Sequence, residues 1–355
     1  MEHSKRYSRQ LDLSEIGSLG QQKLRNAKVL VIGAGGLGCP VLQILAAAGV
    51  GTLGIVDGDV VDETNLHRQL LYTFDDCGEN KVNAAANAIH KINFEIKTNV
   101  YPDFVNESNI AFITKDYDII VDCTDSIATR YLINDISVYM NKPMVYASIH
   151  KFEGQISVFN FQNGPSYRCL FPEKEIGNIP NCVTTGVLGV LPNTLGMLQA
   201  TEVLKIILGI GSILSGRLLI YNALELSFNE MEFVKNKTQL EIGIEKGKQL
   251  SQNKKQNYEL DKTAFLEKCT NENYIIIDLR EVHELPKLKY KSIQNIPFSE
   301  IEKHQNQLVK SQNIVFFCQS GIRSKKAVEL LVNNGYTNIY HLQNGIQSLH
   351  LETTT

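Results

Sequence analysis

Cys318 lies in FFCQSGIRSKKAVELL, which reads as a strand, a tight loop and a helix. The loop C-Q-S-G-I-R-S can curl its backbone N–H groups around the sulfur. Those donors, Arg323 and the start of the helix would favour a thiolate or a persulfide. A second constellation, far upstream, suits phosphate. Gly33, Gly35 and Gly38 form a G-x-G-x-x-G turn, with Gly36 inside it, between the β-branched run KVLVIG and the apolar segment CPVLQILAAAG. Such glycines permit a tight turn and let backbone N–H groups reach phosphate at a helix N-terminus. Asp57 ends the next buried strand, where a carboxylate can accept both ribose hydroxyls. Alone, the turn fits NAD, FAD or ATP, or a turn with no ligand at all.

The residues after Asp57 separate these options. GDVVDETNLHRQLLYTFDDCGENKVNAA supplies Asp59, Asn65, Arg68 and Lys81. Two cations and an amide near a ribose-binding acid suit a triphosphate better than the nicotinamide end of NAD. VDCTD then places Asp122 and Asp125 at the C-terminal edge of another strand, where open α/β sheets bind ligands. A carboxylate there can hold Mg2+. Each residue also has a plainer reading. Asp125 would serve as a helix N-cap before SIATRYLI, and Lys81 as a solvated helix lysine. Cys182, in NIPNCVTTGVLG, stands just before a long helix, where a thiol pKa can fall, or is simply a small buried hydrophobe. Cys39, Cys77, Cys123 and Cys269 read as core residues.

The elements that must position these groups alternate. After the glycine unit come a helix at 78–92, strands at 95–100 and 117–123, a helix at 126–141 and a strand at 143–149. That order implies a Rossmann-like α/β fold with a mostly parallel sheet covered on both faces. GQISVFNF and RLLIYNAL extend it antiparallel, around a long apolar helix at 186–208. The expected domains are 1–242 and 258–355, the latter a small α/β unit with strands at NYIIIDLR and NIVFFC and a helix at KKAVELLVNNG. GIEKGKQLSQNKKQN at 243–257 is nearly devoid of apolar residues and reads as a solvated linker.

Composition narrows the classes. The 355 residues are 43% hydrophobic and 21% charged, with a net charge of −3 and pI near 6.3. This predicts no broad attraction to nucleic acid or anionic membrane. The polar N-terminus and the short apolar runs predict a cytoplasmic protein without a spanning helix. Seven cysteines without a repeated spacing argue against a disulfide framework.

RYSRQ, GAGGLGCP, DGDVVDETNLHRQ, GENK and VDCTD, in that order over about 1–230, resemble the ThiF/MoeB/HesA branch of the ubiquitin-activating-enzyme superfamily. The CQSGIR loop, IIIDLREVHE, NIPFSEI and NIYHLQNGI resemble a rhodanese domain over about 259–350. The first resemblance implies adenylation by ATP of the C-terminal glycine of a ubiquitin-like sulfur carrier (ThiS/MoaD-like, ending Gly-Gly). It implies that Asp57 holds ribose, that Asn65, Arg68 and Lys81 contact phosphates, and that Asp125 binds Mg2+. Arg9 would reach the other subunit's triphosphate in a homodimer; without the resemblance it is a solvated charge. Cys182 would be the conjugating cysteine. The second resemblance implies a persulfide on Cys318, charged by a sulfur donor, with Asp278 and Arg280 bracing the fold. Together they imply that the carrier ends as a thiocarboxylate, serving thiamin, molybdopterin or tRNA thiolation chemistry.

Family members commonly hold a structural zinc with two C-x-x-C pairs. Here Ser166 replaces the first thiol of GPSYRCLFPE, leaving Cys169, and no cysteine falls between Cys182 and Cys269. One thiolate cannot build a four-ligand site, so no structural zinc is expected. Other function classes remain: an NAD-linked oxidoreductase with an appended rhodanese domain, or a non-catalytic binder of a ubiquitin-like tail.

Overall fold

The structure, a computed structural model, describes residues 5–173, 186–252, 258–288, 290, 293–304, 308–310, 312–334, 336 and 338–349. The chain forms two compact units, Met1–Lys255 and Gln256–Thr355.

In the first unit β1 (Lys28–Ile32), β2 (Thr52–Val56), β3 (Lys97–Tyr101), β4 (Ile119–Asp122) and β5 (Met144–His150) pair in parallel. β6 (Glu153–Phe159), β7 (Arg217–Asn222) and β8 (Ser227–Glu232) continue the sheet antiparallel, giving the order β3-β2-β1-β4-β5-β6-β7-β8. The change of direction has a local cause. Only Lys151 and Phe152 link β5 to β6, with Lys151 at φ +54°, and a two-residue connection allows only antiparallel pairing.

Successive residues of β1 serve opposite faces of the sheet, as a strand requires. Val29 and Val31 join a core with the helices Gly38–Ala48, Lys81–Ile92 and Val190–Leu208. Leu30 and Ile32 join a second core with the helix Ile127–Tyr139. This covering of both faces explains why β1 and β4 read as continuous apolar runs.

The solvated linker expected at 243–257 is overturned over 243–252. Those residues belong to a helix, Lys237–Gln252, whose buried positions are Leu240, Gly243, Gly247 and Leu250. A Cβ on Gly247 would lie 2.2 Å from the Asp135 carbonyl oxygen and 2.5 Å from Tyr139 Cβ, so this helix docks on Ile127–Tyr139 by backbone contact. Composition misread the segment because it counts apolar side chains, which are few here, whereas glycine supplies much of the packing surface. Lys246 adds a 2.9 Å ion pair to Glu173, which also accepts from Arg168 at 2.8 Å. Residues 253–257 lie outside the described residues.

The second unit is a five-stranded parallel sheet. Its strands are β9 (Glu259–Leu260), β10 (Tyr274–Asp278), β11 (Ile293–Asn295), β12 (Asn313–Phe317) and β13 (Ile339–Leu342), in the order β11-β10-β12-β13-β9. The central strand β12 is buried on both sides, with Ile314 and Phe316 in one core and Val315 and Phe317 in the other. No helix among the described residues is long and apolar enough to cross a membrane.

Candidate functional site

β1 lies between β2 and β4, so the connections leaving β1 and β4 diverge and open a crevice at their C-terminal ends. A cavity of about 360 Å³ occupies it, lined among others by Gly33, Gly35, Gly36, Asp57, Asn65, Arg68, Lys81 and Asp125. The glycine turn is shaped by contact. Gly33 adopts φ +96°, and a Cβ there would sit 2.6 Å from the Cys123 carbonyl oxygen. Gly38 does not line the cavity. It opens the helix Gly38–Ala48, and a Cβ there would meet Gly33 O at 2.0 Å, so its role is to close the turn.

Asp57 is buried, and each carboxylate oxygen accepts one backbone N–H, from Ala34 at 2.8 Å and Asp59 at 2.9 Å. The acid is therefore fixed to the glycine turn it serves. Lys81 is no solvated helix lysine. It is buried at the first position of its helix, with Nζ 2.9 Å from Asp59 Oδ2. Asn65 Oδ1 accepts from Arg68 Nη2 at 3.1 Å and from Gln69 Nε2 at 2.9 Å, which orients the arginine from within its own turn. Asp125 is exposed, and the helix cap is Ser126, which accepts from Thr129 N at 3.3 Å. Asp125 thus lines the cavity without serving as the N-cap.

Several residues that line the cavity or brace its walls carried no sequence signal of their own. Tyr72 donates to Ala34 O at 2.8 Å beneath the glycine turn. Gln199 is fully buried in the long helix Val190–Leu208 and donates to Asp122 O at 2.8 Å and Val145 O at 3.3 Å, tying that helix to β4 and β5. Arg130 lines the cavity while buried, and its Nη2 donates to Thr124 O at 2.9 Å. Its spacing after Asp125 in a helical segment was the available clue. Three buried polar atoms at or behind this wall lack a hydrogen-bond partner, Gln69 Oε1, Asp122 Oδ2 and Arg130 Nε, the last two facing each other at 3.8 Å. Buried polar atoms are normally satisfied, so unpaired ones at a cavity fit a polar ligand.

The remaining predicted residues lie apart. Arg9, in the short helix Ser8–Leu11, has a side chain 97% exposed, with Asp12 4.0 Å away. Cys182 lies outside the described residues. Cys39, Cys123 and Cys269 are buried as expected, and burial pushes Cys39 and Cys269 up to about 12. Cys77 corrects the sequence reading: it follows the turn Phe74–Asp76 and is exposed, because that turn faces solvent. Cys169 is partly buried, and its sulfur accepts from Ser166 N at 3.4 Å and Asn236 N at 3.3 Å.

In the second unit Cys318 follows β12 directly and is buried. Gly321 N and Ser324 N point at Sγ from 3.2 and 3.4 Å, at the start of the helix Ile322–Asn333. Ile346 N donates to Cys318 O at 2.9 Å, so the turn after β13 buttresses the loop. Arg323 departs from expectation. Its two terminal nitrogens donate to Glu284, at 2.6 and 2.7 Å, rather than to the sulfur. Asp278 and Arg280 form a buried bidentate pair, at 2.9 and 2.8 Å, bracing the end of β10.

Comparison with known proteins agrees with this division. A ThiF family model matches residues 7–242 and a rhodanese-like domain model matches 261–352. The chain is 46% identical over 237 residues to a sulfur carrier protein adenylyltransferase of Thermus thermophilus, covering 65% of this chain and 88% of that one. It is 38% identical over 367 residues to the probable adenylyltransferase/sulfurtransferase MoeZ of Mycobacterium tuberculosis, covering 96% of this chain and 91% of that one. In fold it resembles E. coli MccB solved with ATP, at TM-score 0.58 and 24% identity over 66% of this chain and 73% of that one. The chain belongs to the ThiF family and carries a rhodanese-like domain after the ThiF portion.

Proposed function

We propose that this enzyme adenylates the C-terminal glycine of a ubiquitin-like sulfur carrier with ATP and then sulfurates it from a persulfide on Cys318. The observation that carries the reading is the convergence of Asp57, Arg68, Lys81 and Asp125 on one cavity at the end of β1 and β4.

A carboxylate is a poor electrophile. Its oxygen attacks the α-phosphorus of ATP, the bond to the β-phosphate breaks, and pyrophosphate leaves behind an acyl-adenylate. The residues contribute position and charge rather than a general base. Asp57, held by two N–H groups, receives the ribose; Asn65, Arg68 and Lys81 face the phosphates. Mg2+ fits beside Asp125, an exposed carboxylate at the cavity, and when bound it would neutralise phosphate charge. Arg9 would act in the partner's site of a homodimer.

The persulfide Cys318–S–S⁻ attacks the acyl carbonyl and AMP leaves, joining the carrier to Cys318 through an acyl disulfide. Cys182 thiolate then attacks the Cys318 sulfur and frees the thiocarboxylate. The resulting Cys182–Cys318 disulfide is reopened by an external thiol, which fits a reducing cytoplasmic setting.

The test is exchange of labelled pyrophosphate into ATP, with a small ubiquitin-fold protein ending Gly-Gly as the probe. Carrier-dependent exchange is the expected result. Its absence in protein that binds ATP would overturn the reading.

A further inference from the structure

The two arginines nearest the Cys318 loop are each paired with a carboxylate. Two guanidinium groups stand near the loop. Arg280 is fully buried and engaged by Asp278, with its Nη1 reaching Gln319 Oε1 at 3.3 Å. Arg323 is gripped by both oxygens of Glu284, and the negative charge of Glu281 acts on it as well. Glu284 is itself fixed, since its Oε1 accepts Glu281 N at 2.8 Å and its own N–H donates to Glu281 O at 3.0 Å. The turn after β10 therefore carries the Glu284 carboxylate to the partly exposed guanidinium of the loop. The second loop position is Gln319, which has no charge. Lys325 and Lys326, farther along the helix, are exposed.

Resting on the sulfurtransferase reading above, we propose that Glu284 is a specificity-determining residue: by neutralising Arg323 it disfavours dianionic inorganic sulfur donors and favours the persulfide of a thiol. In either case the Cys318 thiolate attacks the outer sulfur and the donor S–S bond breaks. Thiosulfate would leave as sulfite, whereas a thiol persulfide leaves as its thiolate. Both routes give the same Cys318 persulfide without an added oxidant. They differ in the charge on the reacting group, a dianion in thiosulfate but a neutral S–SH in the form of a thiol persulfide that the thiolate attacks. A free Arg323 would attract the more highly charged group.

The experiment loads the full-length protein from thiosulfate or from glutathione persulfide and follows Cys318 persulfide by mass spectrometry. Glu284→Gln should raise kcat/KM for thiosulfate roughly tenfold, mainly through KM, while glutathione persulfide changes by less than about twofold. Glu284→Asp, which keeps the charge, should behave as the parent. A thiosulfate rate that is unchanged or lowered in Glu284→Gln overturns the proposal, as does an equal change for both donors, which a merely structural role would give. Failure of the parent to load from either donor, with pyrophosphate exchange intact, overturns the sulfurtransferase reading and this proposal with it.

Discussion

Asp122 Oδ2 and Arg130 Nε face each other across 3.8 Å, and neither atom has a hydrogen-bond partner. Asp122 is fully buried at the end of β4, and burial pushes its carboxyl above the usual carboxylate range. Its other oxygen accepts both the N–H and the hydroxyl of Thr124, at 3.0 and 2.7 Å. Arg130 is thus a desolvated cation on the cavity wall whose opposite charge is close but not hydrogen-bonded to it.

Arg130→Met is expected to lower pyrophosphate exchange on the order of a hundredfold, the size seen when a charge-stabilising group is lost. It should also destabilise the first unit on the order of 3 kcal/mol, because Asp122 is left as a lone buried charge. Adding Asp122→Asn should restore stability in urea unfolding without restoring exchange. Recovery of both would make Arg130 purely structural.

Asp125→Ala and Cys318→Ala should have complementary effects. The first is expected to abolish pyrophosphate exchange while Cys318 still takes up sulfur, and the second to leave exchange intact and end sulfur uptake. Loss of both activities in either variant would contradict the separation of roles.

Gly247→Ala decides between a solvated and a packed helix by the sign of its effect. In an exposed helix the change stabilises by roughly 0.5–1 kcal/mol. Packed against Asp135, it should instead destabilise by about 1–3 kcal/mol or more. Urea unfolding of the full chain reads the sign directly.

Glu284 gives the second unit an acid-sensitive contact. The hydrogen bonds from Arg323 hold its carboxyl at about 2, against an ordinary value of 4.5. Because the folded value is the lower one, the contact stabilises fully above 4.5 and is lost as pH falls toward 2. Protection of the amides in β10 and β12, corrected for the intrinsic pH dependence of exchange, should therefore fall over that window, and Glu284→Gln should flatten the dependence.

Much of this was legible in the residues. The glycine turn, Asp57 and the alternating elements announced the parallel sheet and its crevice because local periodicity and turn chemistry are short-range properties. The closing helix was not legible: 243–252 looked solvated because its contact with Asp135 and Tyr139 uses glycine, which no hydrophobic pattern records. Cys77 failed for the opposite reason, since residue type alone cannot tell a buried thiol from one on an exposed turn.

The sequence by itself determined which groups are available: a phosphate turn, a ribose-binding acid, two cations after it, and a cysteine at the end of a central strand. Tertiary structure decided how they are paired. Lys81 meets Asp59 across 22 positions of chain, and Arg323 meets Glu284 across 39. Whether a cation is free to meet a ligand depends on which carboxylate folding brings within hydrogen-bond reach, and that is a long-range property of the packed chain.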